Sequence, residues 1–337
     1  MFDSIERRRS RFGFTPIKER FPWKGGDLQT MRNAIRERMG GVVSLSADQT
    51  LTFETDDDSG DILIGQLHAP SAPKPLMVLV HGLTGCEGSP DIVLAADYFI
   101  RQGHPVLRLN LRGAGPTAKH CKGFYHAGRS EDLRAVLDQL ADQFGAQGMV
   151  VMASSLGGNA ALKMAGEYGE DAPPWLKAVV SVCAPIDLFA TSYQFLKRRN
   201  RLYHNWLLNR MKEQCASPDR PIPDWAREAA QSAKDTYDFD DKFTGPINGW
   251  TGADQYYGVN SANRFMDDIR VPTLAITAEN DPWVPSEAYH LFDWKRNQHL
   301  VPLIAQGGGH CGFHGEDGVW HLEMTRRFLD QLGLARL

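Results

Sequence analysis

Six short apolar runs, each bounded by turn-forming residues, constrain the fold of this 337-residue chain more than any other feature. They are LMVLV at 76–80, PVLRLNL at 105–111, MVVMAS at 149–154, AVVSVC at 178–183, PTLAIT at 272–277 and LVPLIA at 300–305. Continuous runs of this length suit strands covered on both faces, as in a parallel sheet. Segments with helical periodicity lie between them. Residues 90–102 place Ile92, Leu94, Ala95 and Phe99 on one side, and residues 129–143 repeat Leu133, Val136, Leu137 and Leu140. A third helix is expected from Leu156, and a fourth, VWHLEMTRRFLDQL, near the C-terminus. Strands alternating with helices predict an α/β fold, a mostly parallel twisted sheet flanked by helices. Shorter β-rich runs precede it: VVSL at 42–45, LTF at 51–53 and ILIGQL at 62–67.

Two stretches fall outside this alternation. Residues 1–40 form an arm with 10 Lys+Arg against 5 Asp+Glu. Its aromatic residues Phe12, Phe14, Phe21 and Trp23 favour packing on the core over a free basic tail. Residues 186–270 hold no clear βα unit and read as a cap inserted between two core strands, 41–185 and 271–337 being the core. Within the cap, 192–214 reads as a helix packing Phe195, Leu202, Tyr203, Trp206 and Leu207 over a pocket; its basic charge would also suit a lipid surface. The acidic group Asp238, Asp240 and Asp241 lacks the spacing of a calcium loop and reads as structural.

The sharpest local signal is Ala153-Ser154-Ser155-Leu156-Gly157. A strand runs directly into a helix with serine at the junction, the setting of a strained nucleophile elbow. The residues two before and two after such a serine must be small, or they collide where the helix turns back over the strand. Ser155 has Ala153 and Gly157 in those places, whereas Ser154 has Met152 and Leu156, so Ser155 is the candidate nucleophile.

A serine hydroxyl needs a base, and imidazole suits neutral pH. With this elbow the partners follow in the order Ser, Asp or Glu, His. After the strand LVPLIA the chain reads GGGHCGFH, and glycines let the backbone present His310 over the sheet edge; His314 is the reserve. A metal pair of His310 and His314 would need a helix, which the glycines disfavour. After PTLAIT comes Ala278-Glu279-Asn280-Asp281-Pro282, where Asp281 is the expected orienting acid; Glu279 and Asp187 are alternatives. Two backbone N–H groups would stabilise an oxyanion: Leu156 at the helix start, and Leu83 in His81-Gly82-Leu83-Thr84-Gly85, with His81 bracing that loop. Arg112 and Asp132 read as ordinary turn and helix-start charges, with a buried pair as the alternative.

These segments together resemble the α/β-hydrolases, and more narrowly the YheT-like group of lid-bearing esterases. The likeness runs through GDLQT at 26–30, HGLTG, NLRG at 110–113, YHAG at 125–128, SLGGN, YDFDDKFTGPINGW with Gln255-Tyr256-Tyr257, AENDPW and GGGHCGF. Asp27 stands where the group has histidine, and Ala153 where it has glycine. The resemblance implies hydrolysis of a small-molecule or lipid-like carboxylic ester, without defining the substrate. HGLTG also resembles the loop of homoserine O-acetyltransferases, which keeps acyl transfer as an alternative; a non-catalytic lipid-binding protein or scaffold is the second.

Composition narrows the rest. Lys+Arg 37 against Asp+Glu 41 supplies no chain-wide field for nucleic acid. No apolar run approaches the ~20 residues of a membrane span, and no secretory h-region is seen at the start. Five scattered cysteines without a CxxC pair suit reduced thiols and a cytoplasmic protein. No cofactor and no metal are expected, and no nucleotide-binding glycine motif is found.

Overall fold

The computed structural model describes residues 10–40, 45–68, 74–217 and 220–334. Apart from Leu45, the run expected as a strand at 42–45 lies outside them. The other runs form β1 (Gln49–Glu54), β2 (Ile62–His68), β3 (Leu76–Val80), β4 (Val106–Leu109), β5 (Met149–Ser154), β6 (Leu176–Val182), β7 (Thr273–Ala278) and β8 (Leu300–Ala305). They make one eight-stranded sheet in the order β1-β2-β4-β3-β5-β6-β7-β8. The β1–β2 and β2–β4 pairs are antiparallel and the remainder parallel. The α/β class expected from the apolar runs is therefore the fold.

Alternation along the strands explains why those runs are predominantly apolar. In β3, Leu76, Val78 and Val80 enter one core, with Leu133, Val136 and Leu137 of the helix Ser130–Phe144. Met77 and Leu79 point oppositely, to Ile92, Ala95 and Phe99 of the helix Pro90–Arg101 and Phe328 of the helix Trp320–Gln331. Successive side chains leave a strand on opposite faces, so covering both leaves few polar positions, and one that occurs, Arg108 in β4, is buried with hydrogen-bond partners.

Between β6 and β7 the described residues are helical or irregular: Leu188–Leu196, Arg201–Ala216, Asp224–Ser232, several short turns over 236–247, and Ala253–Asn260. The single helix expected over 192–214 is instead two. Lys197 is extended, and the Asn200 amide donates to Gln194 O at 2.8 Å and Pro282 O at 2.7 Å, holding the break against a distant loop. Leu202, expected over the pocket, is 81% exposed, and Tyr203, expected there too, instead donates to Asp27 of the arm helix.

The arm is partly as expected. Phe12 is buried against Phe328, and the Trp320 indole donates to Thr15 O at 2.7 Å. Phe21 is 81% exposed, contrary to expectation. Arg112 is also more than a turn charge. Its buried guanidinium bonds Asp132, Asp61 at 3.1 Å and Asp57 at 2.7 Å, tying the β1–β2 turn to the loop after β4.

Candidate active site

Register places the site. Val80 pairs with Ala153, Ser154 with Val182, and Ala278 with Ala305, so the C-terminal ends of the central parallel strands share one edge. Open α/β sheets bind ligands outside that edge. Leu83, Ser155, Asp281 and His310 all lie in the connections that leave it.

Ser155 has φ 51° and ψ −123°, a left-handed backbone that an L-residue adopts at a cost. The small-flank argument has a direct geometric cause. A β-carbon on Gly157 would lie 2.5 Å from the carbonyl oxygen of His81, and Ala153 is fully buried in β5. Ser155 Oγ lies 2.9 Å from His310 Nε2.

His310 Nδ1 lies 2.9 Å from Asp281 Oδ2. The other carboxylate oxygen accepts the N–H groups of Trp283 at 2.7 Å and Val284 at 3.0 Å, so the turn after β7 fixes the acid's orientation. The His310 ring stacks on Trp283 with centroids 4.6 Å apart. Burial opposes a positive charge on His310, but the Asp281 carboxylate outweighs it and holds the imidazole well above its usual 6.5. The structure thus brings together Ser155, His310 and Asp281.

The alternatives go elsewhere. Glu279 accepts from Ser286 at 2.9 Å and lies 2.8 Å from His290 Nε2. Asp187 caps the helix Leu188–Leu196 through Ala190 N–H. His314 Nε2 faces Arg32 at 3.3 Å, and burial reinforced by that guanidinium pushes its pKa down to about 2.

His81 is held at both nitrogens. Gly82 O can only accept, so Nδ1 donates to it at 2.8 Å; Nε2 then accepts Leu111 N–H at 3.1 Å. Burial pushes the pKa to about 4, so the ring stays neutral in that tautomer. In the same loop Thr84 N–H donates to Tyr125 Oη and Gly85 N–H to Gly82 O. Among the described residues the Leu83 N–H has no hydrogen-bond partner, and Leu156 N–H, at the first helical position, has no intrahelical acceptor.

Sequence reasoning missed the contribution of the arm. The helix Gly26–Arg38 lies against both site loops: a β-carbon on Gly26 would be 1.9 Å from Asn280 O, and one on Gly309 would be 2.3 Å from Gly26 O. His310 N–H donates to Thr30 Oγ1 at 2.8 Å. The only signal was the GDLQT segment itself, which carries resemblance but no local reason for meeting a loop some 280 residues away.

These groups open into a cavity of about 330 Å³, lined by Leu83, Leu156 and Cys311 and roofed by Phe195, Trp206, Leu207 and Tyr257 from the β6–β7 segment. Among the described residues, the donor atoms of Cys183, His310 and Cys311 form a cluster within 4.8 Å of one another. No helix among the described residues is long and apolar enough to cross a membrane.

Residues 75–317, most of the sheet and every site loop, match the alpha/beta hydrolase fold family. The chain belongs to the α/β-hydrolases. Within that family it is 30% identical over 267 residues to YheT of Escherichia coli (strain K12), provisionally named an esterase, covering 77% of this chain and 76% of that protein. This places it in the YheT-like group, as the motifs implied. Phospholipase ABHD3 of Bos taurus is 24% identical over 300 residues, covering 88% of this chain and 69% of its own. Among solved structures, the esterase Pf2001 of Pyrococcus furiosus superposes with a TM-score of 0.59 at 15% identity, over 86% of this chain and 96% of that one, which speaks for the fold. The two relatives named here are an esterase by provisional name and a phospholipase, and this chain is a hydrolase of the same family.

Proposed function

We propose that the protein is a serine hydrolase that cleaves carboxylic esters through an acyl-enzyme. The observation that carries this reading is the continuous chain of contacts, Ser155 Oγ to His310 Nε2 at 2.9 Å and His310 Nδ1 to Asp281 Oδ2 at 2.9 Å. Ser155 Oγ attacks the ester carbonyl carbon while its proton passes to His310 Nε2. The carbonyl oxygen becomes an oxyanion, which the N–H groups of Leu83 and Leu156 stabilise. The intermediate collapses, and Nε2 gives its proton to the leaving alkoxide. Water then attacks the acyl-enzyme with His310 as base, and the acid leaves as Ser155 regains its proton. Asp281 keeps its charge throughout, holding the tautomer and stabilising the imidazolium. Each step is assigned to a group of the chain, without a metal or cofactor.

In this reading residues 186–270 are a cap, and the aromatic roof they provide accepts an apolar acyl chain of a small-molecule or lipid-like ester. The five unpaired cysteines suit a cytoplasmic location.

A fluorophosphonate probe and a p-nitrophenyl ester test the assignment. Ser155→Ala is expected to lose labelling and turnover, with a fall of roughly 10⁶ in kcat as the order of a dismantled triad. Ser154→Ala is expected to keep both. Equal loss in both folded variants would refute the assignment of the elbow.

A further inference from the structure

Cys183 follows β6 directly and Cys311 follows His310, so two thiols end at the same sheet edge as the Ser155–His310 pair. One donor atom from each of Cys183, His310 and Cys311 lies within 4.8 Å of the other two. The two cysteines are also in direct contact, Cys311 N–H lying 3.4 Å from Cys183 Sγ. Both adopt left-handed backbone, φ 50° and 56°, which a β-carbon disfavours.

Two sulfurs and an imidazole are a donor set for thiophilic divalent ions and a poor one for magnesium or calcium, which take oxygen. Tetrahedral zinc, with bonds of about 2.3 Å to sulfur and 2.0 Å to nitrogen, holds its ligand atoms roughly 3.5–3.8 Å apart. Small side-chain movements would bring these three atoms to that spacing. His310 and Cys311 line the cavity and give an ion entry, while Cys183 lies fully buried behind them.

We propose that Cys183, His310 and Cys311 form an inhibitory site for a thiophilic divalent cation, such as zinc, that reversibly removes the base from Ser155. The two thiols release their protons to solvent as their sulfurs bind the ion, and the neutral imidazole contributes a lone pair. Both ring nitrogens are already committed, Nδ1 to Asp281 and Nε2 to Ser155. An ion on Nε2 takes the lone pair that would receive the serine proton. An ion on Nδ1 forces the ring proton onto Nε2, which then cannot accept one. Either mode stops the reaction. The inhibitory effect rests on the serine-hydrolase reading; the binding does not.

The experiment uses the full chain in two arms. Cadmium alone is titrated while the sulfur-to-cadmium charge-transfer absorption is followed, and zinc is titrated against p-nitrophenyl butyrate hydrolysis. One equivalent of cadmium is expected to develop the band, zinc to inhibit in parallel, a chelator to restore the rate, and magnesium to have no effect. Cys183→Ala and Cys311→Ser, each compared with its own metal-free rate, are expected to weaken both effects by at least about tenfold. Two variants keep the test usable if one does not fold. Absence of the band in the unmodified protein, or a band and inhibition unchanged in a folded variant, would overturn the site. A cysteine-dependent band in a protein with no esterase activity would keep the site and overturn the hydrolase reading. Full activity without a band would do the reverse.

Discussion

The Gln29 side chain brackets the backbone of His314 from both sides: its Oε1 accepts the His314 N–H at 2.7 Å, and its Nε2 donates to the His314 carbonyl at 3.0 Å. Gln29 is fully buried in the arm helix, and His314 stands four residues after His310. A buried amide that completes two backbone bonds ties the arm helix to the loop, beside the short pairing of His314 with Val319.

Replacing Gln29 by Leu removes both bonds; the His314 carbonyl keeps the Arg20 N–H at 3.1 Å, but the buried His314 N–H loses its Gln29 acceptor, at about 1–3 kcal/mol. The melting temperature is expected to fall. Because the same loop presents His310, kcat for a p-nitrophenyl ester is expected to drop on the order of ten- to a hundredfold, with KM little changed. A lower melting temperature with unaltered kcat would limit Gln29 to stability.

The arm also shows where sequence reading stops. The strands were legible because burial on both faces imposes an apolar composition that no loop shares. The elbow was legible because its steric demand is local: Ala153 and Gly157 flank Ser155 whatever the rest of the chain does. Ser155, Asp281 and His310, picked from three separate segments, do meet in space. The contacts Gly26–Asn280 and Gln29–His314 carry no periodicity and join distant segments, so nothing local marks them. The break at Lys197–Asn200 was invisible for the same reason, since apolar spacing continues across it and its stabilising acceptor is Pro282 O. Arg112 looked like a turn charge until its three carboxylate partners, from two other segments, were assembled around it.

The pH dependence of kcat/KM should report His310. Only neutral imidazole accepts the serine proton, so activity rises with pH through its pKa in the free protein. The Asp281 carboxylate raises that pKa above 6.5 despite burial, so the midpoint of the acid limb is expected above 6.5. Asp281→Asn removes the charge; the limb is expected to move to lower pH while the plateau falls by roughly 10³–10⁴. A limb that stays in place in Asp281→Asn would separate the acid from the base.

Folding stability should have an acid dependence of separate origin. Burial holds His81 down to about 4 and His321 to about 3, and the buried His314, beside Arg32, to about 2. Below about 6.5 the unfolded chain binds protons that these folded groups refuse, so stability falls with falling pH, at roughly 1.4 kcal/mol per unit for each group. For His81 that loss runs from about 6.5 to about 4. His310 has the opposite sign: its contribution is present below 6.5 and is lost as pH rises through its raised pKa. The urea midpoint is therefore expected to decline from pH 6.5 to 5. Among the described residues the buried His321 Nδ1 has no hydrogen-bond partner, so His321→Phe removes a titrating group without removing a bond there. The slope in that variant is expected to be shallower; an identical slope would exclude His321 as a contributor.

Trp206 tests the proposed role of residues 186–270 as a cap. It lines the cavity from the helix Arg201–Ala216 and packs at 6.2 Å on Trp283, which also stacks on the His310 ring. Trp206 is thus one residue removed from His310 and in contact with the space an acyl chain would fill in the proposed reading. Trp206→Ala enlarges that space. Each methylene of differential burial is worth about 1–3 kcal/mol, so the preference between butyrate and decanoate esters is expected to shift toward decanoate by tenfold or more. The reaction of Ser155 with a small phosphonate does not use the enlarged space, and its rate is expected to change only a few-fold. Equal losses on the esters and the phosphonate would place Trp206 in the support of Trp283 and His310. An unaltered chain-length profile would place the acyl chain along another wall of the cavity.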